Sequence, residues 1–168
     1  MKYLLACALV LVGCATPLED DPETYDFRAD DSFTQDEQIA IRDYFSQLSE
    51  ITETPISVTF DFPHPKHDVS WSGDELGEDR VIVRSWGHGG LWTSKHRTIR
   101  VGTGNNTYKP GYVAVFASHE VAHDMGLKHV NDPAALMNPL LGGDHFRWNQ
   151  SDQNECYRVH VCKSKELK

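Results

Sequence analysis

Positive charge is scarce in this chain. Its 16 Lys and Arg stand against 25 Asp and Glu, a formal net charge of −9 at pH 7. No basic face is evident, which argues against non-specific nucleic-acid binding, since that depends on neutralising phosphates. Long hydrophobic runs are missing too. The longest, Tyr3 to Val12, falls well short of the roughly 20 apolar residues that a membrane-spanning helix needs. No internal repeat and no second composition regime occur, so neither a solenoid nor a two-domain chain is expected. Only four cysteines are present, and Cys7 and Cys14 sit in the first fourteen residues. The remaining two, Cys156 and Cys162, are too few for a disulfide framework. What is left, 168 residues of which 39% are hydrophobic and 24% charged, suits one globular domain with its own core.

The opening "MKYLLACALVLVGCATP" has one lysine, an apolar stretch and then small residues, the organisation of a signal peptide. Its "LVGC" resembles the lipobox of bacterial lipoproteins. That resemblance implies removal of residues 1–13 and acylation of Cys14; ordinary secretory cleavage with Cys14 unmodified is the alternative. An exported protein, lipid-anchored to the bacterial cell envelope, follows. Ala15 in place of aspartate favours the outer membrane in a Gram-negative host. Residues 14–24 then form the lipidated cysteine and an acidic, proline-punctuated tether, and 25–168 form the folded domain. With two cysteines left in an oxidising compartment, Cys156 and Cys162 either pair or stay as partly buried thiols. Pairing requires the helix that carries Cys156 to end before Cys162.

"TYDFR" alternates like a short strand. Thr34 followed by Glu37 forms a capping box ahead of Ile41, Phe45, Leu48 and Ile51, which predicts an amphipathic helix of about 16 residues. "PISVTFDF" is the clearest strand, and residues 63–79 read as a long surface loop. "RVIVRSW" and "RTIRVG" are two more strands, with "GHGGLWTSK" supplying a short edge strand between them. "YVAVFASHEVAHDMG" predicts a helix ending at Gly126. "NQSDQNECYRVHV" predicts a last helix capped by Ser151.

The informative stretch is "SHEVAHDMGLKH", residues 118–129. On a helix, residues i and i+4 share a face, so His119 and His123 can aim two imidazoles at one point. Gly126 breaks the helix with positive φ and lets the chain bring His129 back from outside it. Three imidazoles with an open fourth position are the ligand set of a catalytic zinc, whereas structural zinc sites are closed by four protein ligands. Glu120 would stand at the outer shell, where a carboxylate can hold a water and take its proton. The alternative is a solvated helix with scattered histidines. Yet the five fixed residues of HExxHxxGxxH arise by chance in this composition with a probability on the order of 10⁻⁴.

This motif resembles that of the metzincin metallopeptidases. Met137 in "ALMNP", eight residues past His129, resembles their Met-turn. The strand, helix, strand opening from Thr24 to Phe60, the glycine-rich "SWGHGGLWTSKHRTIRV" and the final "WNQSDQNECYRV" are similar to the matrixin branch. The resemblance implies an α+β, metzincin-like zincin fold: a twisted mixed sheet of about five strands with an N-terminal helix, an active-site helix and a C-terminal helix. It implies one catalytic Zn²⁺ on His119, His123 and His129, Glu120 as general base, and Met137 beneath the site. A protein or peptide substrate would lie extended along Gly90, Leu91, Trp92 and Thr93. The activity implied is zinc-dependent endopeptidase cleavage of proteins outside the cytoplasm. Two alternatives stand beside it: a non-catalytic zinc- or peptide-binding surface lipoprotein, and a zinc amidase acting on cell-wall peptides.

Val130, where matrixins usually carry serine, and Asn138, where tyrosine or histidine often follows the methionine, leave the branch open. The short tether leaves no room for a prodomain, so cysteine-based latency is not expected. His64, His67, His88 and His96 lack the His-x-Asp spacing of a matrixin structural zinc, so a second zinc is not expected. Nor is calcium at Asp68, Asp74, Glu75, Glu78 and Asp79, which read as a solvated acidic loop. His145 and His160 are expected at the surface, Leu140 and Leu141 at the border of the specificity pocket. Trp71, Trp86, Trp92 and Trp148 are expected in the core or the cleft wall.

Overall fold

The computed structural model describes residues 24–64, 80–88, 90–93, 97–141, 145 and 147–162. The leader with Cys7 and Cys14, the tether before Thr24, His67, His96, Trp71 and the acidic run from Asp68 to Asp79 lie outside the described residues, as do the side chains of Leu91, Trp92 and Thr93.

Among the described residues, five strands and three helices follow in the order β1 (Tyr25–Asp30), α1 (Gln35–Thr52), β2 (Ile56–Phe62), β3 (Val81–Ser85), β4 (Gly90–Thr93), β5 (Thr98–Gly102), α2 (Pro110–Asp124) and α3 (Gln150–Arg158). The architecture is α+β and fits a metzincin-like fold. The sheet order is β2-β1-β3-β5-β4. The first four strands are parallel, and only β4 runs antiparallel, on β5. A parallel sheet needs helical crossovers, and α1 supplies the one between β1 and β2. Strand β2, at the far edge, alternates half-buried Ile56, Val58 and Phe60 with exposed Ser57, Thr59 and Asp61, whereas Val81 to Arg84 of central β3 are all buried. One-sided and two-sided burial account for the two patterns.

Helix α1 begins with the expected box: the Thr34 N–H donates to Glu37 Oε2 at 2.8 Å, and the Glu37 N–H donates to Thr34 Oγ1 at 3.3 Å. Its buried stripe of Ile41, Phe45 and Leu48 packs on the sheet, with Phe45 against Phe27 at 6.0 Å between ring centroids. Glu37 does more than cap. It forms a buried two-point ion pair with Arg84 of β3, at 3.1 and 3.3 Å.

Helix α2 is buried without a break from Val113 to Ala122. A helix apolar on nearly every side belongs inside the core, so His119 and Glu120, which it carries, are buried with it.

Two expectations need correction. The cap of α3 is Asn149, not Ser151. Asn149 Oδ1 accepts from the N–H groups of Ser151 and Asp152, and Asp152 returns the bond by accepting from the Asn149 N–H. Asn caps as well as Ser does, and here only Asn has an acidic residue at the third position to complete the box. The Ser151 hydroxyl instead donates to Asp132 at 2.8 Å. Trp86 is the second: it is 44% exposed, because it leaves the sheet at the end of β3 and holds its ring over the Arg84 guanidinium at 5.5 Å. Trp148 is half-buried and donates to Gln153. Helix α3 stops at Arg158, and His160 takes a left-handed φ of 64°. This reversal brings Cys162 to Cys156, and a disulfide joins them with their Cα atoms 5.2 Å apart.

Candidate metal centre

The end of α2 forms a Schellman turn. The Gly126 N–H donates to the His123 carbonyl at 2.9 Å, and the Leu127 N–H donates to that of Ala122 at 2.9 Å. Gly126 has φ 96°, a conformation that a side chain would strain. The turn has two results. It redirects the chain so that His129 comes back over the helix, and it presents the Leu127 carbonyl to His123 Nδ1 at 2.8 Å.

His119 Nδ1 is held at 2.7 Å by the Leu136 carbonyl. With each Nδ1 donating to a backbone carbonyl, the lone pairs of His119 and His123 fall on Nε2, and both Nε2 atoms point at His129. The Nε2–Nε2 separations to His129 are 3.2 Å from His119 and 3.1 Å from His123. Ligands bound tetrahedrally to zinc at the usual Zn–N length would be about 3.3 Å apart. The three residues fit the ion in chemistry and spacing, and His119 and His123 also in the tautomer that their carbonyl partners select. They are also the one such cluster among the described residues.

Burial grades from His119, 4% exposed, through partly buried His123 to exposed His129, so the open side faces solvent. Burial pushes His119 down from 6.5 to about 4, opposed by its bond to Leu136 and helped by the neighbouring His123 and His129. Burial lowers His123 as well. Both effects keep the imidazoles neutral and able to ligate at ordinary pH. Glu120, only 6% exposed, lies between these ligands in sequence, and its carboxylate rests against Gly90 of β4. Arg80 Nε pairs with Asp124 at 3.0 Å and pins the end of α2 to the residue before β3.

The residues that the sequence did not reveal form a brace beneath the site. Fully buried Asp152 of α3 accepts the N–H groups of Leu136 at 2.9 Å and Met137 at 2.8 Å. The same peptide segment offers the Leu136 carbonyl to His119, so α3 is tied through two hydrogen bonds to a ligand histidine. Asp132 tightens the loop from the other side, accepting from Ala134 N–H, Asn149 Nδ2 and Ser151 Oγ. Met137 is fully buried, and its carbonyl accepts from the Val130 N–H, next to His129. The box Asn149-x-x-Asp152 was the available signal for this brace.

Other expected residues fall elsewhere. His64 Nδ1 pairs with Asp30 at 2.5 Å, and His88 Nδ1 with the Tyr108 hydroxyl at 2.6 Å, so the two do not come together. Leu140 is 84% exposed. Leu141, with Val115, Leu136, exposed His145 and Arg147, lines a small cavity of about 10 Å³, room for about one water. His160 is exposed. No helix among the described residues is long and apolar enough to cross a membrane.

The family model described as Matrixin matches residues 12–161. A search of curated proteins finds no match. Among solved structures, the chain is similar to a zinc-dependent peptidase from Methanocorpusculum labreanum, with a TM-score of 0.52 and 13% identity over 78% of this chain and 98% of that one. It is also similar to metalloproteinase-II from Bacteroides fragilis, with a TM-score of 0.53 and 11% identity over 85% of this chain and 54% of that one. At these identities the likeness speaks to the fold.

Proposed function

The chain belongs to the matrixin family of zinc metallopeptidases, and from that premise we propose that it is an endopeptidase cleaving proteins outside the cytoplasm, with Glu120 as general base. The observation that carries this reading is a buried carboxylate, Glu120, next in sequence to the first of three convergent imidazoles whose open side faces solvent. A site that only bound zinc or peptide would have no use for that carboxylate.

Bound at His119, His123 and His129, Zn²⁺ would supply a polarising charge for the scissile carbonyl and acidify a water. Glu120 takes the proton from the attacking water and delivers it to the departing amine nitrogen, so one side chain serves both halves of the reaction. The outer edge of β4 has no partner strand among the described residues. An extended substrate aligned along Gly90–Thr93 would gain backbone hydrogen bonds there by strand addition. The leader and Cys14 support export and lipid anchoring to the cell envelope, which Cys14→Ala tests by releasing the protein from membranes.

Cleavage of casein by the purified protein, with and without a zinc chelator, tests the activity. Hydrolysis that the chelator stops and added zinc restores is expected; hydrolysis indifferent to the chelator would refute the reading.

A further inference from the structure

Gly90 is a glycine for reasons of space. Its φ lies outside the left-handed region, so the backbone there makes no demand that another residue could not meet. The position directly above its Cα is occupied instead. A Cβ built on Gly90 would lie 2.7 Å from Glu120 Cγ and 2.9 Å from Cδ, and would overlap Oε1. Unstrained carbon contacts start at about 3.5 Å. Neither backbone can move aside cheaply. Gly90 is paired to fully buried Val101 in the antiparallel β4–β5 ladder, and Glu120 sits within the buried stretch of α2 between two histidines that share one focus. The end of the Glu120 side chain, which rotates about its own χ angles, is the softest element in the contact.

We propose that Gly90 is a positioning residue for Glu120: the missing side chain leaves the gap in which the carboxylate rests, and the edge strand thereby fixes where the base stands relative to the three imidazoles. This inference rests on the zinc-peptidase reading above for the role of Glu120, while the steric coupling of the two residues stands on geometry alone. Gly87 on the approach to the strand is different, since a Cβ there would meet only Ser85 Oγ, at an ordinary 3.6 Å.

The test uses Gly90→Ala in the full chain, with Gly87→Ala as control. In Gly90→Ala, zinc content and KM are expected within about twofold of wild type and kcat about 100-fold lower, the scale of a displaced general base. Gly87→Ala should leave all three unchanged. A thermal-denaturation cycle adds a readout independent of turnover: Gly90→Ala lowers the melting temperature in the wild-type background but not in Glu120→Ala, where the obstructing atoms are gone. If Gly90→Ala alone fails to fold, folding of the double variant supports the proposal and its failure overturns it. A wild-type kcat in Gly90→Ala, or equal destabilisation in both backgrounds, also overturns it. Should the wild-type protein show no chelator-sensitive cleavage, the enzymatic reading fails, and the thermal cycle still decides whether Gly90 seats Glu120.

Discussion

Asp152→Ala should loosen the metal site from a distance. The carboxylate is fully buried and accepts three backbone N–H groups, those of Leu136, Met137 and Asn149. Truncation leaves the first two without a partner inside the protein, at about 1–3 kcal/mol each. Part of this loss is offset. Burial pushes the Asp152 carboxyl above the usual carboxylate range, against the pull of its hydrogen bonds, so removing the group also removes a charge that was costly to bury. A net destabilisation of about 2–4 kcal/mol is expected, within reach of a domain whose total stability is about 5–15 kcal/mol. Because the Leu136 carbonyl orients His119, zinc affinity should fall about 10–100-fold. Urea denaturation gives the first quantity, and competition with a chromophoric chelator gives the second. Asp152→Asn, which turns one acceptor into a donor facing an N–H, should lie between. Zinc affinity within twofold of wild type in Asp152→Ala would refute the connection from α3 to the ligand.

Acid should destabilise the metal-free protein in a defined window. The unfolded chain takes up a proton on His119 near pH 6.5, while the folded chain resists until about 4. Stability is therefore flat above 6.5 from this group and declines as pH falls towards 4, by about 3 kcal/mol in all, with His123 acting in the same direction. Denaturation midpoints of the apoprotein across this range measure it, and a midpoint that holds constant would contradict the burial of His119. Arg84→Met should cost about 3–5 kcal/mol by leaving Glu37 as a lone buried charge, and Glu37→Leu in the same chain should recover much of that loss. A double variant destabilised by the sum of the two single variants' losses would show that the pair is not coupled.

The parts of this molecule legible in its sequence are those where one local rule decides. Thr34 and Glu37 announce the start of α1 because both halves of a capping box lie within four residues. The i, i+4 histidines and Gly126 define the metal helix and its exit because helical spacing and positive φ are local properties. What stayed hidden depends on residues far apart in sequence. Glu37 reads as a cap, and its pairing with Arg84 emerges only when β3 is laid beside β1. Asp152 reads as an ordinary helix residue until α3 packs under the loop holding Leu136. Gly90 reads as one of several glycines flanking a short edge strand, and its contact with Glu120 exists only through the pairing of β4 on β5. Ser151 and Asn149 are equally good caps taken singly, and only Asp152 at the third position singles out Asn149.

The most direct measurement of the central claim is the turnover of Glu120→Gln, taken together with its zinc content. The substitution keeps the shape of the side chain and removes its basicity, leaving His119, His123 and His129 untouched. Zinc content equal to wild type with kcat lowered by about 10²–10⁴ is the predicted result. A variant that carries its full zinc and still cleaves at the wild-type rate would contradict the account.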